Sequence, residues 1–148
     1  MHYLTLLPSL IAAAALSMID ARTRTVPRVV VACGALTQLA VFLLVSPVPQ
    51  GLTKAGIATV LGGVCFLIQL ALCLAFPTAV GLGDATTAFL LGLAVGYAGG
   101  LFAVIVWWFL MGTLGLAALG IQYLRKRNSG VPFVPVMSAA ALLSVLLC

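Results

Sequence analysis

Along the chain, apolar stretches of about 14 to 24 residues alternate with short gaps that hold most of the charged and turn-forming positions. The stretches cover about 3–19, 28–46, 55–76, 85–98, 101–124 and 131–147. Runs of this length predict helices that satisfy their own backbone hydrogen bonds inside lipid. The expected architecture is therefore all-α, a polytopic integral membrane protein of about six transmembrane helices, with residues 1–148 forming a single transmembrane domain.

The fourth run differs from the others. Its roughly 14 residues span only about 21 Å at about 1.5 Å per residue, against a hydrocarbon core of about 30 Å. Ala88, Gly92, Gly96 and Gly100 recur every four residues after Asp84, so they share one helical face with it. A stripe of small residues lets neighbouring helices approach closely. Asp84, at its head, is expected to point into the bundle and to sit below the membrane surface. The preceding stretch, Pro77 to Gly83, carries no charge.

Composition sharpens the membrane reading. The chain of 148 residues is 64% hydrophobic and 6% charged, which excludes a soluble globule, where about a quarter of residues are charged. Cys33, Cys65, Cys73 and Cys148 are far apart in apolar runs, and His2 is the one histidine. No metal-ligand spacing results, so no metal or cofactor is expected and the cysteines read as small buried hydrophobes. Residues 3–19 lack a preceding Lys or Arg and are followed by three Arg, the wrong polarity for a cleaved signal. They read as the first anchor.

Charge sets the orientation. Of seven basic residues, Arg22, Arg24 and Arg28 follow the first run and Arg125, Lys126 and Arg127 follow the fifth; only Lys54 stands elsewhere. By the positive-inside rule those two gaps are cytoplasmic and both termini lie outside. The positives form no stripe with interleaved aromatics, so nucleic acid is not an expected partner. In this topology Asp20, just after the first run, and Asp84, just before the fourth, occupy the same membrane face, and they are the only acids in the chain.

A carboxylate at membrane depth costs about 2.5 to 3.5 kcal/mol on insertion scales. Two of them on one face suit aspartic proteolysis, in which one carboxylate takes a proton from water while its protonated partner polarises the scissile carbonyl. Gly81 and Gly83 would let an extended substrate strand lie close to the backbone. Two structural readings stand beside this one: Asp84 as an N-cap of its helix, and Asp20 as a surface partner of Arg22 or Arg24.

Three segments resemble the type IV prepilin peptidases, membrane aspartic proteases with a G-x-G-D signature. Asp20-Ala21-Arg22-Thr23-Arg24-Thr25-Val26-Pro27 is similar to the family's D-x-R-x-R-x-[IV]-P segment, Gly81-Leu82-Gly83-Asp84 to its G-x-G-D, and Val131-Pro132-Phe133-Val134-Pro135 to its P-F-G-P-like segment. The resemblance implies an endopeptidase that removes the short leader from type IV pilin-like or Flp-type precursors at the cytoplasmic face of the inner membrane, with Asp20 and Asp84 catalytic. No cysteine-bearing soluble region accompanies it, so methylation of the product is not expected. The chain departs from the family's pattern at Thr86, where Lys is usual, at Arg28, where Asn is common, and at Val134 in place of Gly. The competing reading is a non-catalytic six-helix membrane protein, either a proton- or cation-coupled transporter or an inactive assembly subunit. Gln38, Gln69 and Gln122 are too scattered to outline an ion path and read as helix-to-helix hydrogen bonds. Trp107 and Trp108 read as packing residues, and Tyr3, Tyr97 and Tyr123 as interfacial ones.

Overall fold

The computed structural model describes residues 2–45, 49–77, 81–125 and 132–148, with no strand among them. Lys126, Arg127 and Val131, part of the stretch from Pro77 to Gly83, and the last residue expected in the second run lie outside the described residues. A 3-10 turn, His2–Leu6, leads into α1 (Leu7–Thr23), followed by α2 (Arg28–Val45), α3 (Pro49–Ala75), α4 (Leu82–Leu124) and α5 (Phe133–Leu147).

A straight α4 of 43 residues would measure roughly 65 Å, twice the bilayer core. It doubles back instead. Gly99 (φ −138°, ψ 18°) and Gly100 (φ 62°, ψ −148°) leave the helical region, and at Gly100 the backbone adopts a conformation open essentially to glycine alone. A Cβ on Gly92 would lie 3.4 Å from the Cys65 sulfur, and the Trp108 indole N–H donates to that same sulfur at 3.4 Å. The limbs 82–98 and 101–124 therefore lie side by side, and the six expected helices are present, two of them joined at the glycine pair.

Large apolar side chains point outward on every helix: Leu36, Leu43, Leu67, Phe109, Leu116 and Leu146 are examples. An apolar exterior of this extent suits lipid and not water. Four helices are long and apolar enough to cross a membrane, and α5 is a shorter apolar helix. The chain is a multi-pass membrane protein.

Small residues fill the interior. Gly92 faces the Gly62 Cα, 2.9 Å from where its Cβ would stand, and Gly96 faces the Ala58 Cα at 3.2 Å. With Ala88 fully buried, the small-residue stripe packs against α3 as expected. Gly100 does not share that role, since nothing lies within 4 Å of its missing Cβ; it serves the turn.

Polar groups stitch the remaining helices together. Gln38 of α2 accepts the Ser9 N–H at 3.1 Å and donates to the Thr5 carbonyl at 2.6 Å. Trp107 donates to the Met137 carbonyl at 3.0 Å, and Ser144 to the Ala103 carbonyl at 2.7 Å. Trp107 is buried and Trp108 half-buried against the core, as packing residues, and Tyr97, half-buried two residues before the glycine pair, stacks on Phe42 with ring centroids 4.3 Å apart. Two expectations are corrected. α3 begins at Pro49 and carries an exposed Lys54 within it, because a lysine stem can lie along a helix while its ammonium reaches the surface. Cys33 and Cys148 are exposed, in contrast to Cys65 and Cys73, since the outer face of a membrane helix takes small apolar groups as readily as the core does.

Candidate active site

Asp20 lies in the last turn of α1. The helix ends just beyond it, where Arg24 takes a left-handed conformation (φ 54°) and its N–H returns to the Asp20 carbonyl at 2.9 Å. The Asp20 side chain turns inward and is 6% exposed. Its carboxylate accepts the Val134 N–H at 3.2 Å. Val134 stands in the first turn of α5, where backbone N–H groups have no partner within their own helix. Arg22 and Arg24 are exposed. Asp20 is thus not a surface partner of either arginine.

Asp84 lies in the first turn of α4, whose N-cap is Gly81. Its N–H donates to the Gly81 carbonyl at 3.0 Å, and its carboxylate accepts the Gly81 N–H at 3.1 Å. Asp84 is therefore not the N-cap itself. It reaches back to the cap, and its negative charge sits where the helix dipole favours it. Behind it, the Thr86 and Thr87 hydroxyls both donate to the Gly83 carbonyl at 2.9 Å.

Two contacts draw the three resembling segments together. A Cβ on Gly83 would stand 2.6 Å from the Val26 Cβ, so the segment leaving α1 packs directly on the G-x-G-D turn. The Asp20 to Val134 bond closes the other side. Asp20, buried, and Asp84, half-buried, therefore share one end of the bundle.

The glycines find partners within the chain itself: Gly83 makes room for Val26, and the Gly81 N–H is occupied by Asp84. The role of Val134 was hidden in the sequence because it acts through its main chain. The one available signal was Pro132 followed by Pro135, which marks a helix start with few free N–H groups. That mode of contact also accounts for Val in place of Gly at this position, since either residue supplies the same donor. Of the residues that clamp the turn before Asp84, Val26 entered the sequence reading only as a motif position, and Thr87 was not singled out.

A sequence profile described as the type IV leader peptidase family matches residues 7–116. No curated protein and no solved structure matches the chain significantly. The profile spans both Asp20 and Asp84 and ends before Val134.

Proposed function

The chain belongs to the type IV leader peptidase family, and from that premise we propose that it is an aspartic endopeptidase acting through Asp20 and Asp84. Its substrate is a prepilin-like precursor, and the bond cut lies between a short leader and the apolar helix that follows. One carboxylate takes a proton from water as the water oxygen bonds to the scissile carbonyl carbon. The protonated partner gives its proton to the carbonyl oxygen. Collapse of the tetrahedral intermediate breaks the C–N bond, and a proton returns to the leaving amine. The convergence of three sequence-distant segments on this pair supports the reading above any other observation: Val26 on Gly83, and Val134 on a buried Asp20.

The cytoplasmic face of the inner membrane is the proposed location. Arg22, Arg24 and Arg28 flank Asp20 in the sequence, and Arg125 ends α4 just before the chain returns at Pro132 beside Val134. These basics gather at the end that holds both acids, which the positive-inside rule assigns to the cytoplasm.

One observation favours a second reading. Both carboxylates accept a main-chain N–H at a helix start, Asp84 from Gly81 at α4 and Asp20 from Val134 at α5, and a non-catalytic assembly subunit would need nothing more of them. Co-expression with a prepilin-like precursor, followed by gel shift and N-terminal sequencing, separates the two. Cleavage at the end of the leader is expected. An uncut precursor beside correctly inserted protein overturns the peptidase proposal.

A further inference from the structure

The helices that start at the candidate dyad are short, and their neighbours are long. Asp84 stands about 22 Å from the turn at Gly99, at about 1.5 Å per residue along the first limb of α4. α5 repeats that measure: the Val134 N–H at its start bonds Asp20, and Cys148 at its end lies against Gly99, about 21 Å away. α2, with 18 residues, covers about 26 Å. The second limb of α4 runs about 37 Å from Gly100 to Arg125, and the 27 residues of α3 about 40 Å.

Contacts across the bundle put these lengths on one scale. Gly96 faces Ala58, so Lys54, one turn earlier in α3, is level with the turn at Gly99 and Gly100. Gly34 packs on Leu90, and six residues separate Gly34 from Arg28 as they do Leu90 from Asp84, so Arg28 is level with Asp84. On the second limb of α4 that level falls at Leu116. From there the limb stays apolar outside, with Leu116, Leu119, Ile121 and Leu124 exposed before Arg125. On α2 the exposed Arg28 ends the apolar face at the level of Asp84. A hydrocarbon core of about 30 Å, measured from the Gly99 turn, matches neither side: it passes the dyad by about 8 Å and stops about 7 Å short of Arg125.

Resting on the peptidase reading, we propose that the bilayer is thinned along the α2 face, so that its surface drops there to the level of Arg28 and the two acids. An apolar span shorter than the core is met by thinning of the lipid around it, and an arginine facing outward at that level draws headgroups and water toward itself. The drop serves the reaction. The bond to be cut lies where a soluble leader joins an apolar helix, a junction that rests at the headgroups. An undisturbed surface would hold that junction about 8 Å from the dyad. A lowered surface brings both to one level, with water beside the carboxylates and no polar leader drawn into hydrocarbon.

The test uses the full chain in dioleoyl phosphatidylcholine vesicles, with a fluorescent coumarin amino acid at position 29, 116 or 44. Val29 and Leu116 stand near one level on different helices, and Leu44 marks the end of α2 away from the dyad; all three face outward. Iodide on both sides of the membrane should quench the label at 29 and at 44 and leave that at 116 bright, whereas lipid with brominated chains should quench 116. Equal iodide quenching at 29 and 116 means a flat surface. A label at 44 shielded from iodide means a tilted bundle in a flat bilayer. Either result overturns the thinning. Cleavage of a prepilin-like precursor should fall about tenfold from dioleoyl to dierucoyl vesicles, whose thicker core resists the drop, in step with iodide access to position 29. Cleavage indifferent to lipid thickness overturns the use of the drop by the dyad. A precursor left uncut in every vesicle removes the peptidase reading, while the quenching still decides the thinning.

Discussion

The seam between α3 and the first limb of α4 and the seams around α1, α2 and α5 differ in how much hydrogen bonds add to close packing. At the former, Gly62 meets Gly92 and Ala58 meets Gly96, backbone against backbone. Around α1, side chains reach across gaps: Gln38 to Ser9 and Thr5, Ser17 to Ser138 at 2.9 Å, and Asp20 to Val134. Lipid surrounds both, so apolar burial drives neither; close packing holds the first, and the second adds hydrogen bonds to a close contact of its own, Gly34 on Ala12. The G-x-G-D turn stands at the end of the seam between α3 and α4, and Asp20 comes from the side richer in hydrogen bonds, so the candidate site joins the two regions.

The largest effect is expected where packing leaves no room. Gly92→Leu places a side chain against the Gly62 Cα and should cost about 3 kcal/mol, read as a loss of folded yield in detergent. A normal yield would mean that α3 and α4 are not in backbone contact. Next is Gly83→Ala, whose methyl meets Val26; a loss of about 1 to 3 kcal/mol is expected. Val26→Gly in the same chain, which removes the Cβ that the methyl meets, should restore part of it. If it does not, the segment after α1 does not rest on the G-x-G-D turn.

On the bonded side the costs are smaller. Gln38→Ala leaves the Ser9 N–H and the Thr5 carbonyl without this partner and should lower stability by about 1 to 2 kcal/mol, measured as a shift in thermal unfolding. Ser17→Ala should cost only about 0.6 kcal/mol. A Ser17→Ala penalty as large as that of Gly92→Leu would erase the distinction between the two regions.

Much of this was legible in the sequence because lipid imposes length on apolar runs. The helices could be placed, and Gly99 and Gly100 marked the gap between two of them even though the helical hydrogen-bond pattern runs on across the turn. Helix starts were less legible. Lys54 looked like a boundary because charge normally marks one, yet α3 extends back to Pro49. At the candidate site the two acids stood out by their scarcity, but their surroundings did not. Asp20 is held by a main-chain N–H, and no residue type announces a backbone donor. Asp84 looked like a cap, whereas the cap is Gly81 and the carboxylate reaches back to it. Gly83 was read as a place for substrate to approach, and its packing on Val26 is a second reason for glycine there that the sequence did not show.

The pairing of Asp20 with Asp84 is tested most directly by replacing each with Asn and measuring precursor cleavage beside thermal stability. An amide oxygen still accepts the N–H of Val134 or Gly81, so both caps survive in the variants. What Asn cannot do is take a proton from water or share an acidic one. The account predicts that Asp20→Asn and Asp84→Asn each abolish cleavage, singly and to the same degree, because the pair acts as a unit, with membrane insertion and unfolding temperature close to wild type. Wild-type cleavage by either variant would contradict it, leaving that residue a helix cap and nothing more.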